Sequence, residues 1–467
     1  MKYNHIIAGI LSAFWCASLA PVLADTIPVN NLVQIVASDS ATAKTVAWQD
    51  SSGRRDYTVT YRQKGSSETA RAFVTSPKRP PVYDAEWVPP YTYGAYMQGL
   101  RPDTEYEYEI ADADGESGWF PFHTTTEQLN RYEVLVFSDT QSTDYSVWGQ
   151  TAQAAYEAHP GAAFFTVVGD LSDNGQSWYQ WKAWYENADI LTSYMPIAPV
   201  LGNHEAYSLD WKFCEPYTYK ALFPVPYGAP EGQSRLAYSF DYGDVHYAAL
   251  NTDYEELHEL YPDMMEHEVT WLDQDLADAR KRGKRLVVLM HRPAVTATYR
   301  ALPDINGTYF MPLFDKYHVP LVFTAHEHCY ARTEPLIDGR PGEGGTTYIS
   351  TGRAGTESYT DTDTVKRYCD AAYYNPTDQP MYLTLAVEPD TFTVTAYKTD
   401  GTVIDTASIA APSPSGNATA ASAGTSKGKK KGRKVVQKPA ENRSLQKKHS
   451  TEEPGSWQKE KPDRIQK

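Results

Sequence analysis

The sequence predicts an all-β domain followed by an α/β domain, and three observations support this prediction. Between residues 28 and 127, short segments such as 57–61 and 106–110 alternate in polarity, which is typical of half-buried strands. From residue 131 onward, near-continuous apolar runs alternate with segments of helical periodicity, as in sheets that are covered by helices. Polar clusters follow five of these runs, at the carboxyl ends of strands where α/β sheets bind ligands.

The first domain contains a recognisable corner. Residues 99–106 read Gly-Leu-Arg-Pro-Asp-Thr-Glu-Tyr, which resembles the corner of a fibronectin-type sandwich, where a tyrosine hydroxyl bonds back to nearby backbone. We therefore expect a fibronectin III-like sandwich over residues 28–127 that serves as a scaffold. A carbohydrate-binding or protein-binding module is the alternative, because this architecture supports many unrelated roles.

The α/β domain is predicted to span residues 131–410. Its core strands are expected at the five apolar runs, residues 134–137, 163–168, 197–201, 286–290 and 319–323. Helices are expected at residues 177–193 and 266–282, where apolar side chains recur at helical spacing, and Gly283 ends the second of them. Two further strands, residues 381–387 and 391–397, are expected to form a closing hairpin.

Residues 1–24 are predicted to form a secretory signal peptide. Lys2 gives a positive start, an apolar stretch covers residues 6–20, and Val22-Leu23-Ala24 forms a cleavage site. The stretch is too short to cross a bilayer comfortably, and no later segment is long and apolar enough for a transmembrane span. We therefore expect a secreted or periplasmic protein, of bacterial origin.

The charge of the chain is unevenly distributed. Residues 411–467 contain 14 basic and five acidic residues, so this segment carries +9, whereas the whole chain carries −16. An acidic body argues against a nucleic-acid partner. The tail, residues 411–467, is predicted to be disordered because its composition cannot form a core. Its basic cluster at 427–434 is expected to be solvated, with contact to an anionic surface as the alternative.

The polar clusters supply donors for metal ions. The candidate ligands are two carboxylates, one amide and three imidazoles: Asp139, Asp170, Asn203, His291, His326 and His328. Such a mixed set suits zinc, iron or manganese better than calcium or copper. A single Gly-Asp or Met-His pair is usually a turn or a packed histidine. Five clusters at successive strand ends instead predict one site for two metal ions.

The sequence does not decide whether the last two histidines of the series point in the same direction. His326 and His328 are separated by one residue, so they point the same way if the local chain is extended. A turn after the strand would aim them at neighbouring metal ions instead.

The ordered set resembles the calcineurin-like metallophosphoesterases, which carry Asp, Gly-Asp-x-x-Asp, Gly-Asn-His-Glu, His and His-x-His in this order. Residues 238–246, 271–276, 291–293 and 326–332 resemble the purple acid phosphatase branch, as does the preceding fibronectin-like domain. The resemblance covers residues 45–409. It implies a four-layer αββα metallophosphoesterase domain with a dinuclear metal centre.

The resemblance also implies a role for each residue. One metal ion would be held by Asp139, Asp170 and His328. The other would be held by Asp170, Asn203, His291 and His326. Asp170 would then bridge the two ions. His204 would not bind metal but would lie beside the leaving group, as a general acid or as a donor to the transition state.

The sequence departs from the resembled pattern at three positions. Purple acid phosphatases owe their colour to a tyrosinate on iron, and Asp173 occupies that position here, so we expect no such colour. Gln141 stands where other metallophosphoesterases have histidine. It is a possible weak ligand through its carbonyl, or it leaves a gap for water. Ala325 replaces the usual glycine before the histidine pair, a change we expect to be tolerated.

These inferences predict an exported phosphatase that acts on a phosphate-ester small molecule. Phosphate monoesters would be hydrolysed by a hydroxide that two metal ions activate, and His204 would assist the departing alcohol. A phosphodiesterase or a nucleotide or sugar-nucleotide hydrolase is the first alternative, because specificity lies in loops that the core motifs do not determine. The second is a non-catalytic cell-surface binding protein with a degenerate metal site, which Gln141 would mark.

Overall fold

The computed structural model describes residues 27, 29–226, 228–297, 305–359 and 369–412. The predicted signal peptide and nearly all of the predicted basic tail lie outside these residues. The elements described below all belong to one compact unit. Among the described residues, no helix combines the length and the apolar composition that crossing a membrane requires.

Strands make up most of the regular structure. In chain order they are β1 (Asn30–Ile35), β2 (Ala43–Asp50), β3 (Thr58–Gln63), β4 (Ala70–Arg71), β5 (Phe73–Val74), β6 (Tyr91–Gln98), β7 (Glu105–Ala111), β8 (Glu116–His123), β9 (Tyr132–Phe137), β10 (Phe164–Val168), β11 (Ile197–Val200), β12 (Tyr238–Tyr242), β13 (Val245–Leu250), β14 (Arg285–Met290), β15 (Leu321–Thr324), β16 (Tyr330–Thr333), β17 (Leu336–Ile337), β18 (Arg340–Pro341), β19 (Thr347–Thr351), β20 (Asp370–Tyr374), β21 (Met381–Glu388), β22 (Thr391–Lys398) and β23 (Val403–Ala410).

The helices lie between strands of the second domain. They are α1 (Tyr145–Ala158), α2 (Trp178–Thr192), α3 (Tyr217–Leu222), α4 (Tyr254–Leu257), α5 (Met264–Lys281) and α6 (Ile305–Tyr317), and a 3₁₀ turn covers Asn203–Ala206. The helices predicted at 177–193 and 266–282 are therefore confirmed, although α5 begins two residues earlier than its periodicity suggested. Asp144 caps α1, because its carboxylate accepts from Ser146 N at 2.9 Å.

The first domain is a β-sandwich, as predicted, but one of its two sheets continues into the second domain. The four-stranded sheet has the order β4-β3-β7-β8. The opposing strands form one end of a ten-stranded sheet of order β23-β22-β21-β9-β10-β11-β1-β2-β6-β5. The join is the parallel pairing of β1 with β11, through Ile35 and Ile197. Periodicity within each strand could not indicate this pairing, because it depends on contacts between distant segments.

The predicted tyrosine corner is present in the first domain. Arg101 N donates a hydrogen bond to Tyr106 Oη at 3.0 Å. The core beneath it contains Trp48, which stacks on Tyr93 with ring centroids 5.5 Å apart. Buried aromatic area of this kind contributes strongly to the stability of a small sandwich.

The second domain has four layers. Helices α1 and α2 pack together against the ten-stranded sheet, and α5 contacts β13 and β14 of a seven-stranded sheet with the order β12-β13-β14-β15-β19-β16-β20. The two sheets face each other, since Phe164 on β10 lies 5.3 Å from Tyr247 on β13 between ring centroids. Helix α6 packs on α5 in the outer layer. The αββα arrangement is thus confirmed.

The core strands end at the same side of the molecule. Strands β9, β10 and β11 are parallel neighbours in one sheet, and β13, β14, β15 and β19 are parallel neighbours in the other. All five predicted apolar runs are strands that are fully buried or nearly so. The polar residues that follow these strands therefore lie together at one edge of the domain, between the two sheets.

Candidate metal centre

The candidate ligands come from both sheets. Asp139, Asp170 and Asn203 follow β9, β10 and β11 of the ten-stranded sheet, whereas His291 and His326 follow β14 and β15 of the seven-stranded sheet. The side chains of all but His326 are buried. The site is therefore built where the two sheets meet, and it depends on their packing as well as on each loop.

The structure brings these side chains together in two groups that share a member. Asp170, His291 and His326 form one group, and Asp139, Asp170 and His328 form the other. Within each group, one nitrogen or oxygen atom of every residue lies within 4.8 Å of the others. Asn203 joins the first group, because its Oδ1 lies 3.1 Å from His291 Nε2 and 2.9 Å from His326 Nδ1.

The backbone turns sharply at four of these positions. Asp139, Asp170, His326 and His328 have φ angles of 46°, 52°, 71° and 53°, in the left-handed region that residues other than glycine rarely adopt. His326 and His328 are therefore not on an extended segment, and the turn sends them into different groups. Such conformations cost free energy and concentrate at functional sites.

Two histidines are oriented by backbone carbonyls. His291 Nδ1 donates to Val168 O at 2.8 Å, and His328 Nδ1 donates to Glu357 O at 2.8 Å. Because a carbonyl only accepts, each ring directs Nε2 into the site, 3.1 Å from Asp170 Oδ2 and 3.3 Å from Asp139 Oδ1 respectively. This is the arrangement by which a second partner fixes the tautomer of a ligating histidine.

His326 faces the site through its other nitrogen. Nδ1 lies near Asn203, while Nε2 accepts from Arg292 Nη1 at 3.1 Å. Arg292 is in turn held by Glu256. Two of the histidines thus face the site through Nε2 and His326 faces it through Nδ1, a difference that no sequence pattern specified.

Two buried oxygen atoms in the site accept no hydrogen bond among the described residues, although one of them faces His328 Nε2 at 3.3 Å. They are Asp139 Oδ1 and Gln141 Oε1, and both residues are at most 2% exposed. Buried polar atoms are almost always paired, so unpartnered oxygens beside two groups of nitrogen and oxygen donors fit cation binding. The residues present therefore suit metal ions.

His204 lies beside the two groups without joining either. Its Nδ1 donates to the backbone carbonyl of Asp173 at 2.6 Å, which leaves Nε2 facing the site, 4.0 Å from Asp170 Oδ2. Gln141 Nε2 approaches the same ring nitrogen at 3.4 Å. The side chain is 20% exposed, so this imidazole can be reached from solvent.

Asp173, which stands where the resembled phosphatases have their iron-binding tyrosine, belongs to neither group. Its Oδ1 lies 3.7 Å from His204 Nδ1, and its Oδ2 accepts from Gln180 Nε2 at 3.4 Å. The carboxylate is therefore directed toward His204 and α2.

Ala325, which replaces the glycine of the resembled pattern, is fully buried and donates its N–H to His291 O at 2.8 Å. The structure therefore accommodates its methyl group.

Glu205 organises the site, although the sequence interpretation gave it no role. Its buried carboxylate accepts four backbone N–H groups, from Asp170, Leu171, Ser172 and Gly202, at 2.9–3.1 Å. These bonds tie the loop after β10 to the loop after β11. The position of Glu205 at the end of the Gly-Asn-His-Glu motif could have indicated this role, because a buried acid beside two candidate ligands requires hydrogen-bond partners.

Two glycines allow the loops to approach closely. A Cβ atom at Gly169, whose φ is +88°, would lie 2.2 Å from His291 Nδ1. A Cβ atom at Gly202 would lie 2.2 Å from Asp170 N. Any larger residue at either position would displace a candidate ligand or its peptide.

The electrostatics of the site favour cations. Burial opposes ionisation of Asp170, but His291 and His204 lie close enough to bring the pKa of this carboxyl below its ordinary value. Burial likewise opposes a charged His291, yet neighbouring carboxylates, Asp170 first, raise the pKa of that ring to about 10. Positive charge is thus stabilised at the shared carboxylate.

Two segments of the chain match known protein families. Residues 132–330 match the calcineurin-like phosphoesterase family, and residues 30–124 match the N-terminal domain of purple acid phosphatases. Purple acid phosphatase 18 of Arabidopsis thaliana is 28% identical over 281 residues, which cover 57% of this chain and 60% of that protein. An uncharacterized protein of Mycobacterium tuberculosis is 32% identical over 275 residues, covering 52% of this chain and 50% of its own length.

The chain therefore spans less than two thirds of the length of these curated relatives. Among solved structures, a purple acid phosphatase from yellow lupin (Lupinus luteus) seeds superposes with a TM-score of 0.66 at 18% identity. The superposition covers 81% of this chain and 74% of the lupin chain. At that identity the similarity is one of fold.

Proposed function

We propose that the chain, whose residues 132–330 match the calcineurin-like phosphoesterase family and whose residues 30–124 match the N-terminal domain of purple acid phosphatases, is an exported, metal-dependent phosphatase that hydrolyses phosphate monoesters. The observation that carries the proposal is the pair of ligand groups that share Asp170, with His204 beside them. A single carboxylate placed between two sets of donors is what a dinuclear centre requires.

The chain offers a complete set of donors for two metal ions. One ion would be held by Asp139, Asp170 and His328, with Gln141 Oε1 as a neutral additional donor. The other would be held by Asp170, Asn203, His291 and His326. Two ions bound there would supply Lewis acidity that activates water and offsets the charge of a phosphate group. Iron, manganese and zinc all suit this donor set.

The chain's own contribution to the reaction centres on His204. Its ring is fixed by the bond from Nδ1 to Asp173 O, and Nε2 points toward the shared carboxylate. A protonated Nε2 in this position can pass its proton to the oxygen of a departing alcohol. General acid catalysis of this kind contributes about 10²–10⁴-fold to the rate. The same N–H can also donate to a phosphate oxygen in the transition state.

The remaining residues hold the donors in place. Glu205 fixes the peptides that carry Asp170 and Gly202, and carbonyls orient His291 and His328. Pre-organisation of this kind lowers the cost of binding the transition state.

Retention of His204 and the full donor set supports a catalytic site over a non-catalytic binding protein. Export is proposed from the signal-like residues 1–24.

The experiment compares the wild-type protein with Asp170→Asn. We expect two metal ions per wild-type chain by elemental analysis and hydrolysis of 4-nitrophenyl phosphate in the presence of iron, manganese or zinc. The asparagine variant should lose both the pairing of ions and turnover. Asp189→Asn is the matched control, because Asp189 is exposed on α2 and should behave as wild type.

Two results would contradict the proposal. A fully active Asp170→Asn variant would exclude the bridging role. Fewer than one bound ion per chain, with no hydrolysis after metal addition, would favour a non-catalytic binding protein. Assay of bis(4-nitrophenyl) phosphate alongside the monoester tests the substrate class, and faster turnover of the diester would make the protein a phosphodiesterase.

A further inference from the structure

A short hairpin displays aromatic side chains next to His204. Tyr207 and Phe213 form an antiparallel bridge, and between them Ser208 N donates to Lys212 O at 2.8 Å. Asn174 Nδ2, in the loop after β10, donates to Ser208 O at 2.8 Å. The hairpin is therefore anchored to the same loop that carries Asp170.

The rings of this hairpin extend outward from the leaving-group histidine. The centroid of the His204 ring lies 5.5 Å from that of Tyr207 and 6.3 Å from that of Trp211, both with near-perpendicular planes. Tyr207 also contacts Trp211 at 5.8 Å and Phe213 at 5.5 Å. The imidazole that faces the departing group thus lies at one end of a continuous aromatic surface.

The surface is exposed although it is apolar. Trp211 is 52% exposed and Phe213 is 48% exposed. The backbone of Trp211 has a φ of +62°, which is a strained conformation for a bulky residue. The charged residues at the tip, Asp210 and Lys212, pair with each other. The hairpin therefore presents flat aromatic faces, without an unpaired cation to attract a second phosphate.

Resting on the proposed function, we propose that Tyr207 and Trp211 form a subsite for a planar aromatic ring in the leaving group of the substrate. The phosphate would occupy the metal centre and the leaving oxygen would face His204. The next part of the substrate would then lie against the hairpin, where an aromatic ring stacks on Trp211. Stacking tolerates different rings because every aromatic has a π-face. Aryl esters and nucleoside monophosphates are the two sources of such a ring.

The first test measures binding without turnover. Phenylphosphonate and methylphosphonate are non-hydrolysable, and they differ in carrying a phenyl ring or a methyl group on phosphorus. We would titrate each into the metal-loaded protein and measure its affinity by calorimetry. We expect the wild-type protein to bind phenylphosphonate about 10-fold more tightly, as stacking energies imply. Trp211→Ala should abolish that preference, and Trp211→Phe should retain part of it. Phe73→Ala, an exposed aromatic in the first domain, should leave it unchanged.

The second test separates the two sources of the ring. We would compare kcat/KM for phenyl phosphate against glycerol phosphate, and for adenosine monophosphate against ribose 5-phosphate. The pair whose ratio falls about 10-fold in Trp211→Ala identifies the source, because differences in intrinsic reactivity cancel between wild type and variant. The non-aromatic substrates should change less than 2-fold.

The outcomes distinguish this inference from the proposed function. Equal affinity of the wild-type protein for the two phosphonates would overturn the subsite. A uniform loss of activity on every ester in Trp211→Ala would instead assign the residue to support of His204, and would also overturn it. Selective phosphonate binding without hydrolysis of any ester would retain the subsite and refute the phosphatase proposal. Thermal unfolding would verify that each variant is folded.

Discussion

The carboxylate of Glu205 accepts a hydrogen bond from the backbone N–H of Asp170 at 3.0 Å, so the residue after His204 positions the peptide of the shared candidate ligand. Three further N–H groups converge on the same carboxylate. The relationship makes the loop after β11 part of the support for the loop after β10. It also indicates that loss of the Glu205 carboxylate would disturb the candidate ligands on both loops, although Glu205 is not itself a candidate ligand.

We predict that Glu205→Gln lowers both stability and metal content. One oxygen would become an NH₂ group that faces N–H donors, and buried groups without partners cost free energy. We expect the free energy of unfolding in urea to fall by about 2–4 kcal/mol and the bound metal to fall below two ions per chain. Glu186→Gln, exposed on α2, is the control. Unchanged unfolding and unchanged metal content would refute the positioning role.

Gln141 should contribute to only one of the two ions. Within the part of the chain that the structure describes, its buried Oε1 has no hydrogen-bond partner, and Gln141→Leu would remove this oxygen while keeping an extended side chain. We expect the affinity for one ion to fall at least about 10-fold while the other is retained, as measured by competition with a chelator. Gln153→Leu, exposed on α1, should bind both ions as wild type does. Equal weakening of both ions would contradict this assignment.

The iron-loaded protein should lack the colour of purple acid phosphatases. Asp173 occupies the position of the tyrosine, and its carboxylate faces His204 and Gln180. We therefore expect no intense tyrosinate-to-iron band in the visible absorption spectrum after loading with ferric iron. If such a band appeared, Tyr359 would be the residue to replace with phenylalanine first, because its ring stacks on His328 at 4.4 Å.

A buried charge network away from the candidate metal centre should make stability depend on pH. His246 lies between Asp241 and Asp275, with 2.7 Å from each ring nitrogen to a carboxylate oxygen. Arg282 and Lys284 also contact Asp241. Burial opposes the charged ring, but the two carboxylates raise the pKa of His246 to about 9.

The sign of this effect follows from the raised pKa. The contribution of His246 is fully present below its unfolded pKa of about 6.5 and is lost as pH rises toward 9. We expect the difference in unfolding free energy between wild type and His246→Gln to shrink by up to about 3 kcal/mol between pH 6 and pH 9 in urea titrations. His123→Gln, at an exposed histidine, should show no such change. A difference that is constant with pH would exclude a charged His246.

The sequence alone determined the elements and the chemistry of the donors. Apolar runs such as residues 286–290 become strands because burial of both faces requires continuous apolar side chains. Polar residues directly after them, such as His291, lie at strand ends in any α/β sheet. Local patterns also predicted the corner at Tyr106, because the turn and its tyrosine lie within a few residues of each other.

Only the tertiary structure decided how these elements meet. The pairing of Ile35 with Ile197, the convergence of four N–H groups on Glu205 and the hairpin that places Trp211 beside His204 all join separate loops or strands. The turn at His326 and His328 was open in the sequence, because both an extended chain and a turn fit one intervening residue. Such contacts depend on the packing of whole sheets, and that packing minimises exposed apolar surface over the entire chain and not within any single segment.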